Sequence, residues 1–234
     1  MFVSSMHTNE AEMETINDQI KKLFKPSIDN YFQFVQHLGG TFIAKAPDPN
    51  NILQPHQDWN IVDETNYRSY TIWVALQDVS SENGAMYVLP KSHNFLRGYR
   101  HLTIPSVYGK IYDVVWKKMK PIYLKAGEAI VFDHALGHAS LPNKSNSIRI
   151  AATHSLISEN AELRFYWNNN GIVEEYQGER AYYIQEAAKT GPSHLKKIKD
   201  LDFKMHQLEE REFQKLFSDR SSLITRLKNW FFNK

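Results

Sequence analysis

The sequence contains no cysteine among its 234 residues. This absence excludes disulfide bonds, thiolate metal sites and cysteine nucleophiles, and it is typical of a reducing compartment, so we expect a cytoplasmic protein. No run approaches the roughly 18 apolar residues of a membrane span. The N-terminus also lacks the basic stretch and apolar run of a signal peptide. Any transition-metal site must therefore use histidine, carboxylate and water as ligands.

An excess of charge of one sign is also missing. The 28 Lys and Arg residues and the 26 Asp and Glu residues leave a net charge of +2, which argues against a dedicated nucleic-acid-binding protein. Aromatic residues, by contrast, make up 13% of the chain, as expected for a β-rich core or an aromatic-lined pocket. The length suits one domain with an appendage.

Short runs rich in β-branched and aromatic residues fill the middle of the chain, and Gly, Pro, Asn, Asp or Ser bounds each of them. Runs of this kind at this spacing predict an all-β sandwich or barrel. The runs are GTFIAK, SYTIWVALQDV, AMYVLP, PIYLKA, EAIVFD and SIRIAATHSLI.

Helices are predicted at both ends of this β region. Residues 9–24 form an amphipathic pattern that we expect to close near Pro26. A second helical segment, residues 194–217, follows Pro192. The basic, amphipathic ending LITRLKNWFFNK has two interpretations: a helix that packs on the barrel or on a second subunit, or a peripheral membrane contact.

These patterns divide the chain into two parts. Residues 1–191 form a β domain that includes the N-terminal helix and an irregular insertion at residues 94–120. Residues 192–234 form a C-terminal helical extension.

The stretch LQPHQDWNIVDE contains His56 and Asp58, one residue apart. On an extended strand, these two side chains point to one face. They are then either a hydrogen-bonded pair or two thirds of a metal site. Because a His-x-Asp triplet arises often by chance, the metal interpretation depends on a third ligand.

The stretch GEAIVFDHALGHASLPNKSNSIRIA offers His134 and His138 as third ligands, and Arg149 follows them. Both histidines fall near the end of one predicted strand with the same parity, so periodicity does not separate them. Two imidazoles and one carboxylate form the facial triad of non-haem Fe(II) oxygenases. An arginine adds a bidentate fork for a carboxylate co-substrate.

Three blocks of the chain, in this order, resemble the phytanoyl-CoA dioxygenase family of Fe(II)/2-oxoglutarate oxygenases: HQDW, TIWVALQDVSSENGAMYVLPKSH and GEAIVFDHALGHASLPNKSNSIR. The resemblance implies that His56, Asp58 and His138 are the iron ligands. It favours His138 over His134, which it leaves with a supporting or structural role. It further implies that the 2-oxoglutarate site contains Arg149, Ser140, Trp73 and Thr41.

The resemblance also implies a fold and a reaction. The fold is mainly β, a double-stranded β-helix (jelly roll, cupin-like) with flanking N- and C-terminal helices. The reaction uses Fe(II), 2-oxoglutarate and O2, hydroxylates a C–H bond of a small molecule, and releases succinate and CO2. Related halogenases carry Gly or Ala at the position of Asp58, so hydroxylation is expected here, while desaturation or ring closure would use the same residues. The alternative is a non-catalytic metal-binding jelly-roll sensor or binding module.

Members of this family carry a longer N-terminal part, so we expect part of the sheet edge or lid to be missing or rebuilt in this chain. The insertion at residues 94–120 contains six Lys or Arg residues and one acid, Asp113. One interpretation is a solvated surface loop. The other places Arg97 and Arg100 at the pocket mouth, where they would attract an anionic substrate. Homo-oligomer formation is a further expectation that the sequence leaves open.

Overall fold

The computed structural model describes residues 1–4, 9–180 and 191–218. Two antiparallel sheets pack face to face and a third, smaller sheet lies beside them. In spatial order, the five-stranded sheet contains β1 (Phe2–Val3), β2 (Val35–Lys45), β9 (Arg149–Ser158), β4 (Ser69–Ala75) and β7 (Ala129–Asp133). The four-stranded sheet contains β3 (Leu53–His56), β8 (His138–Ser140), β5 (Met86–Val88) and β6 (Lys120–Ile122). The three-stranded sheet contains β10 (Arg164–Asn169), β11 (Ile172–Gln177) and β12 (Lys197–Leu201).

The core between the two large sheets forms from side chains that alternate along their strands. Trp73 of β4 and Phe132 of β7 meet Met86 and Val88 of β5 in one buried cluster. The other face of the five-stranded sheet is covered by helix α1 (Glu10–Asp29), whose Ile28 packs in a cluster with residues of β4 and β9. Coverage of both faces explains why most residues of β9 are buried, including the polar Thr153 and His154. The predicted mainly β jelly roll is confirmed.

Helix α1 continues beyond the predicted end. Asn9 caps it with a capping box to Glu12, as the sequence pattern favours. The expected stop near Pro26 is wrong, because the helix includes Pro26 and ends at Asp29. The burial of Ile28 in the core holds the last turn and outweighs the loss of one backbone hydrogen bond at proline.

The predicted helix at residues 194–217 is wrong over its first two thirds. Lys197–Leu201 is strand β12, paired antiparallel with β11, and only Glu210–Ser218 is helical, as α3. The lysines of β12 face acids of β11, with Lys197 bonded to Glu174 at 2.6 Å. Pairing with a distant strand edge thus overrides the local helical preference. The ending at residues 223–234 lies outside the described residues.

The insertion at residues 94–120 is neither a solvated loop nor a charged rim. It contains the short helix α2 (Tyr112–Trp116), and its Leu96, Tyr108 and Val115 are buried in a cluster with Phe213 of α3. In the described parts of the chain, no helix is long and apolar enough to cross a membrane.

Candidate metal centre

Two histidines face each other on neighbouring strands of the four-stranded sheet. His56 ends β3, His138 begins β8, and the two are register partners with ring centroids 4.2 Å apart. Asp58 lies just beyond the end of β3, so the expectation that it shares a strand face with His56 is wrong. The chain bends after His56, yet the bend still brings the carboxylate to the imidazoles. One ligand atom from each of the three residues lies within 4.8 Å of the others.

Both imidazoles are held in the same way. Nδ1 of His56 bonds to the carbonyl of Gln54 at 2.8 Å, and Nδ1 of His138 bonds to the carbonyl of Leu136 at 3.0 Å. Because a carbonyl only accepts, each Nδ1 carries a hydrogen, so Nε2 is the ring nitrogen that each imidazole can offer to a metal. Burial lowers the pKa of His56 to about 4. A histidine binds a metal through a neutral imidazole, and the backbone contacts orient the Nε2 atoms of both His56 and His138 for that role.

The Asp58 carboxylate is oriented by a hydroxyl from the opposite sheet. Thr71 of β4 donates to Oδ2 of Asp58 at 3.0 Å, and Oδ1 lies 3.6 Å from Nε2 of His138. Burial opposes the charged form, but the neighbouring imidazoles and the Thr71 hydrogen bond hold the pKa of this carboxyl below its ordinary value. One carboxylate oxygen therefore stays charged and directed toward the histidines.

The two candidate histidines of the second motif lie on opposite sides of a tight turn. His134 follows β7 of the five-stranded sheet, while His138 begins β8 of the four-stranded sheet. The expectation that they share one strand is therefore wrong. His134 is buried, and its Nδ1 bonds to the carbonyl of Trp59 at 3.1 Å. The side chains whose ligand atoms lie within 4.8 Å of one another form a geometric ligand group. This group includes His138 and not His134.

Arg149, at the start of β9, is buried, and its side chain forms no hydrogen bond with the described part of the chain. It is 3% exposed, and its Nε and Nη1 atoms contact no acceptor among the described residues. Its guanidinium carbon lies 5.2 Å from the ring centroid of Trp73. Burial lowers its pKa to about 10. A buried, unpaired guanidinium is costly, so this position calls for an anion from outside the chain.

All seven site residues predicted from the sequence line one cavity of about 500 Å³ between the two large sheets. Thr71 and His134 line it as well, and sequence reasoning did not assign Thr71 any role. Nor did it single out Lys45, which is fully buried and donates to Ser140. Neither residue carries a motif, because its role arises from pairing between strands that are distant in sequence.

A second cavity, of about 270 Å³, adjoins the first and shares His56, Gln57, Trp59 and Leu102 with it. The insertion at residues 94–120 forms much of its wall, and most of the lining is apolar or aromatic.

The expectation that Arg97 and Arg100 attract an anion is wrong, because the protein's own acids neutralise both. Arg97 bonds to Asp133 at 2.5 Å, and Arg100 bonds to both carboxylate oxygens of Glu64 at 2.5 and 3.0 Å. Nε of Arg100 also donates to the carbonyl of Asp58 at 2.8 Å. These arginines therefore tie the insertion to the loop that carries the Asp58 carboxylate.

Comparison with known families identifies the chain. The model of the family described as "Phytanoyl-CoA dioxygenase (PhyH)" matches residues 4–151, more than half of the sequence. The chain belongs to the phytanoyl-CoA dioxygenase family. The matched range includes His56, Asp58 and His138, the three residues of the geometric ligand group, and also Arg149.

Individual relatives of the phytanoyl-CoA dioxygenase family cover only part of the chain. Zebrafish (Danio rerio) phytanoyl-CoA dioxygenase domain-containing protein 1 is 30% identical over 53% of this chain and 45% of its own length. Arabidopsis thaliana phytanoyl-CoA dioxygenase is 34% identical over 47% and 40%, respectively. The chain thus spans less than half the length of these curated relatives. Among solved structures, EvdO2 from Micromonospora carbonacea var. aurantiaca, complexed with 2-oxoglutarate, is 24% identical over 53% of this chain and 52% of its own, with a TM-score of 0.43.

Proposed function

We propose that this member of the phytanoyl-CoA dioxygenase family is an Fe(II)- and 2-oxoglutarate-dependent dioxygenase that hydroxylates a C–H bond of a small molecule. One observation carries the proposal. A cluster of two imidazoles and one carboxylate shares a cavity with a buried arginine that has no partner among the described residues. The first feature suits a divalent metal, and the second suits a carboxylate-bearing co-substrate.

The donor set fits iron. His56 and His138 present oriented Nε2 atoms, and Asp58 presents one charged oxygen. These three side chains would hold the metal on one side and leave its other positions to ligands from the cavity. When bound, Fe(II) supplies the redox chemistry that couples O2 and 2-oxoglutarate to substrate oxidation, with succinate and CO2 as the other products. The protein contributes binding, orientation and exclusion of water.

Arg149 and Ser140 are the groups that we assign to the C5 carboxylate of 2-oxoglutarate. The guanidinium offers a bidentate fork, and the hydroxyl adds a further donor. Trp73 packs against the guanidinium and keeps it away from water, which strengthens an ion pair formed there. Thr41 lines the same cavity, and its role as a co-substrate contact is part of the proposal.

The substrate is a small molecule whose bulk is neutral and apolar or aromatic. The second cavity supports this assignment, because its two arginines are paired with acids and its wall carries Trp59, Tyr99 and Phe203. Together the cavities, at about 500 and 270 Å³, lie in the range that small-molecule sites occupy.

The test is turnover of 2-oxoglutarate by the purified chain with Fe(II) and ascorbate. We expect slow formation of succinate even without the prime substrate, because the ligand set is complete. The His138→Ala variant should lose this turnover, since one bond to the metal is removed. The His134→Ala variant is the matched control: it alters a histidine four positions away, and it should still bind iron and form succinate.

Two results would contradict the proposal in different ways. Turnover that survives His138→Ala but is lost in His134→Ala would mean that the distal ligand is wrongly assigned. No succinate from a wild-type chain that binds iron would favour a metal-binding module without oxygenase activity. If succinate does form, untargeted metabolite turnover, searched for a mass gain of one oxygen, would identify the substrate.

A further inference from the structure

Lys45, at the end of β2, is a second buried cation beside Arg149. It is fully buried at 0% exposure, and it is the register partner of Arg149 across the β2–β9 pair. Burial, together with the positive charge of Arg149, lowers the pKa of Lys45 to about 8. Like charges directly opposite each other on neighbouring strands are destabilising, so this arrangement requires a compensating feature.

The described chain contains no such compensation. No carboxylate of the described residues forms an ion pair with Lys45 or Arg149, whereas the half-buried Arg97 and the buried Arg100 each have one. Among the described residues, the ammonium of Lys45 hydrogen-bonds only to Ser140, with Nζ 2.7 Å from the hydroxyl oxygen and 3.4 Å from the carbonyl oxygen. Two buried positive charges without an internal counter-charge favour the binding of an anion.

The contact with Lys45 determines whether the Ser140 hydroxyl donates or accepts a hydrogen bond. An ammonium group only donates, so the hydroxyl oxygen must accept from Lys45. The hydroxyl hydrogen is then available to another acceptor, and no acceptor for it is present among the described residues. Because Ser140 lines the large cavity, that hydrogen can be donated to an anion bound there.

We propose that Lys45 is a positioning residue of the anion site: it holds Ser140 as a hydrogen-bond donor and, with Arg149, supplies the charge that selects a carboxylate ligand. This inference rests on the proposed function, since 2-oxoglutarate is the carboxylate ligand assigned to the cavity. It goes further by attributing part of the affinity for the carboxylate ligand to Lys45, which contacts the Ser140 hydroxyl.

A structural role for Lys45 makes the opposite prediction about the ligand-free protein. The stem of Lys45 packs closely, since a Cβ added at Gly84 would lie 3.0 Å from its Cδ. The Lys45→Met substitution keeps much of that stem and removes the charge. If Lys45 stabilises the fold, this substitution should lower the melting temperature. If Lys45 instead contributes to anion binding, the substitution should raise the melting temperature of the ligand-free chain, because a desolvated charge opposite Arg149 is lost.

The experiment measures the melting temperature without ligand and the dissociation constants of 2-oxoglutarate and succinate by calorimetry. Mn(II) replaces Fe(II) in the 2-oxoglutarate titration, and succinate is titrated without metal. We expect Lys45→Met to melt higher than wild type and to bind both anions at least about tenfold more weakly, the loss expected for a hydrogen bond to a charged group. The exposed Lys120→Met on β6 is the control, with both readouts unchanged.

A double-mutant cycle tests whether Lys45 acts through the hydroxyl. Ser140→Ala should weaken anion binding to a similar degree. The double variant, Lys45→Met with Ser140→Ala, should have a dissociation constant no higher than that of the single variant that binds less tightly. Should Lys45→Met not fold, Ser140→Ala still tests the binding prediction, because it leaves the lysine in place.

The outcomes separate this inference from the proposed function. If Lys45→Met melts lower and binds both anions as wild type does, the inference is overturned and the proposed function stands. Losses that multiply in the double variant also overturn it. If wild type binds succinate but not 2-oxoglutarate, and Lys45→Met loses succinate, the proposed function fails and the anion site stands.

Discussion

Two pairs of cations lie fully or partly buried in the same fold, and they differ in what surrounds them. Arg97 and Arg100 contact Glu64 and Asp133, so the protein neutralises them itself. Arg149, on the wall of the large cavity, has no acidic partner among the described residues, and two of its nitrogens lack any acceptor there. The first pair stabilises the loop that carries Asp58, whereas Arg149, together with Lys45, leaves positive charge available to a ligand.

Whether a buried charge has a partner inside the protein indicates whether it stabilises the fold or binds a ligand. A charge that the chain pairs internally is needed for the native state, because removing either partner leaves the other desolvated. A charge without a partner costs stability and is explained by binding. Substitutions in the two regions should therefore have opposite effects on the free energy of unfolding.

The largest effect is expected at the paired arginine. Arg100→Leu leaves Glu64 buried without its main partner and removes the hydrogen bond to the Asp58 carbonyl. We expect a loss of about 3–5 kcal/mol in the free energy of unfolding, measured by urea denaturation. Arg211→Leu, at an exposed helical arginine, is the control and should change it little. A loss of similar size in both variants would mean that the Glu64 pair is not special.

Arg149→Leu should behave in the opposite way. We expect the ligand-free protein to keep its stability or gain, while the apparent Michaelis constant for 2-oxoglutarate rises at least about tenfold, because losing one partner of a desolvated charge pair costs roughly 2–5 kcal/mol. Iron affinity should stay close to that of wild type. A variant that is destabilised like Arg100→Leu, with unchanged 2-oxoglutarate dependence, would remove the distinction between the two regions.

His101 tests the same rule with a group that can lose its charge. Its ring lies 4.7 Å from that of Trp59 and 4.6 Å from that of Phe165, and burial lowers its pKa from 6.5 to about 4. As the pH falls below 6.5, His101 becomes protonated in the unfolded chain, whereas in the folded chain it stays neutral until about pH 4. Its contribution to stability is therefore complete above pH 6.5 and is lost as the pH falls through this window, by up to about 3 kcal/mol.

The comparison between wild type and His101→Phe checks this dependence, since phenylalanine keeps the ring packing and cannot bind a proton. The free energy of unfolding of the variant should fall less steeply between pH 6.5 and pH 4. Equal slopes would show that His101 titrates normally in the folded protein.

The smallest effect concerns the hydroxyl that orients Asp58. Thr71→Val keeps the shape of the side chain and removes the 3.0 Å hydrogen bond to Oδ2. Metal affinity should fall by about 10–100-fold, the usual effect of losing a partner behind a metal ligand. Thr153→Val, on the neighbouring strand and lining the same cavity, is the control. Equal metal affinity in wild type and Thr71→Val would show that Asp58 needs no such support.

Much of the architecture could be predicted from local patterns. Each of the six predicted strand runs overlaps a strand, because alternating or continuous apolar residues specify burial on one or both faces. The errors occur where distant contacts decide: the burial of Ile28 carries α1 through Pro26, and pairing with β11 makes Lys197–Leu201 a strand. The insertion shows the same limit, since its charge suggested a ligand until Glu64 and Asp133 proved to be its partners.

Composition and motif order identify which side chains are chemically able to form the site: the absence of cysteine restricts metal ligands to histidine and carboxylate, and three ordered motif blocks select His56, Asp58, His138 and Arg149. The contacts of each side chain depend on the three-dimensional fold and do not follow from the sequence pattern. The hydroxyl of Thr71 reaches Asp58, Lys45 lies opposite Arg149, and Arg100 meets Glu64, all through contacts between segments far apart along the chain. The physical reason is that local patterns encode burial and direction, whereas the pairing of a charge depends on which distant group the fold places beside it.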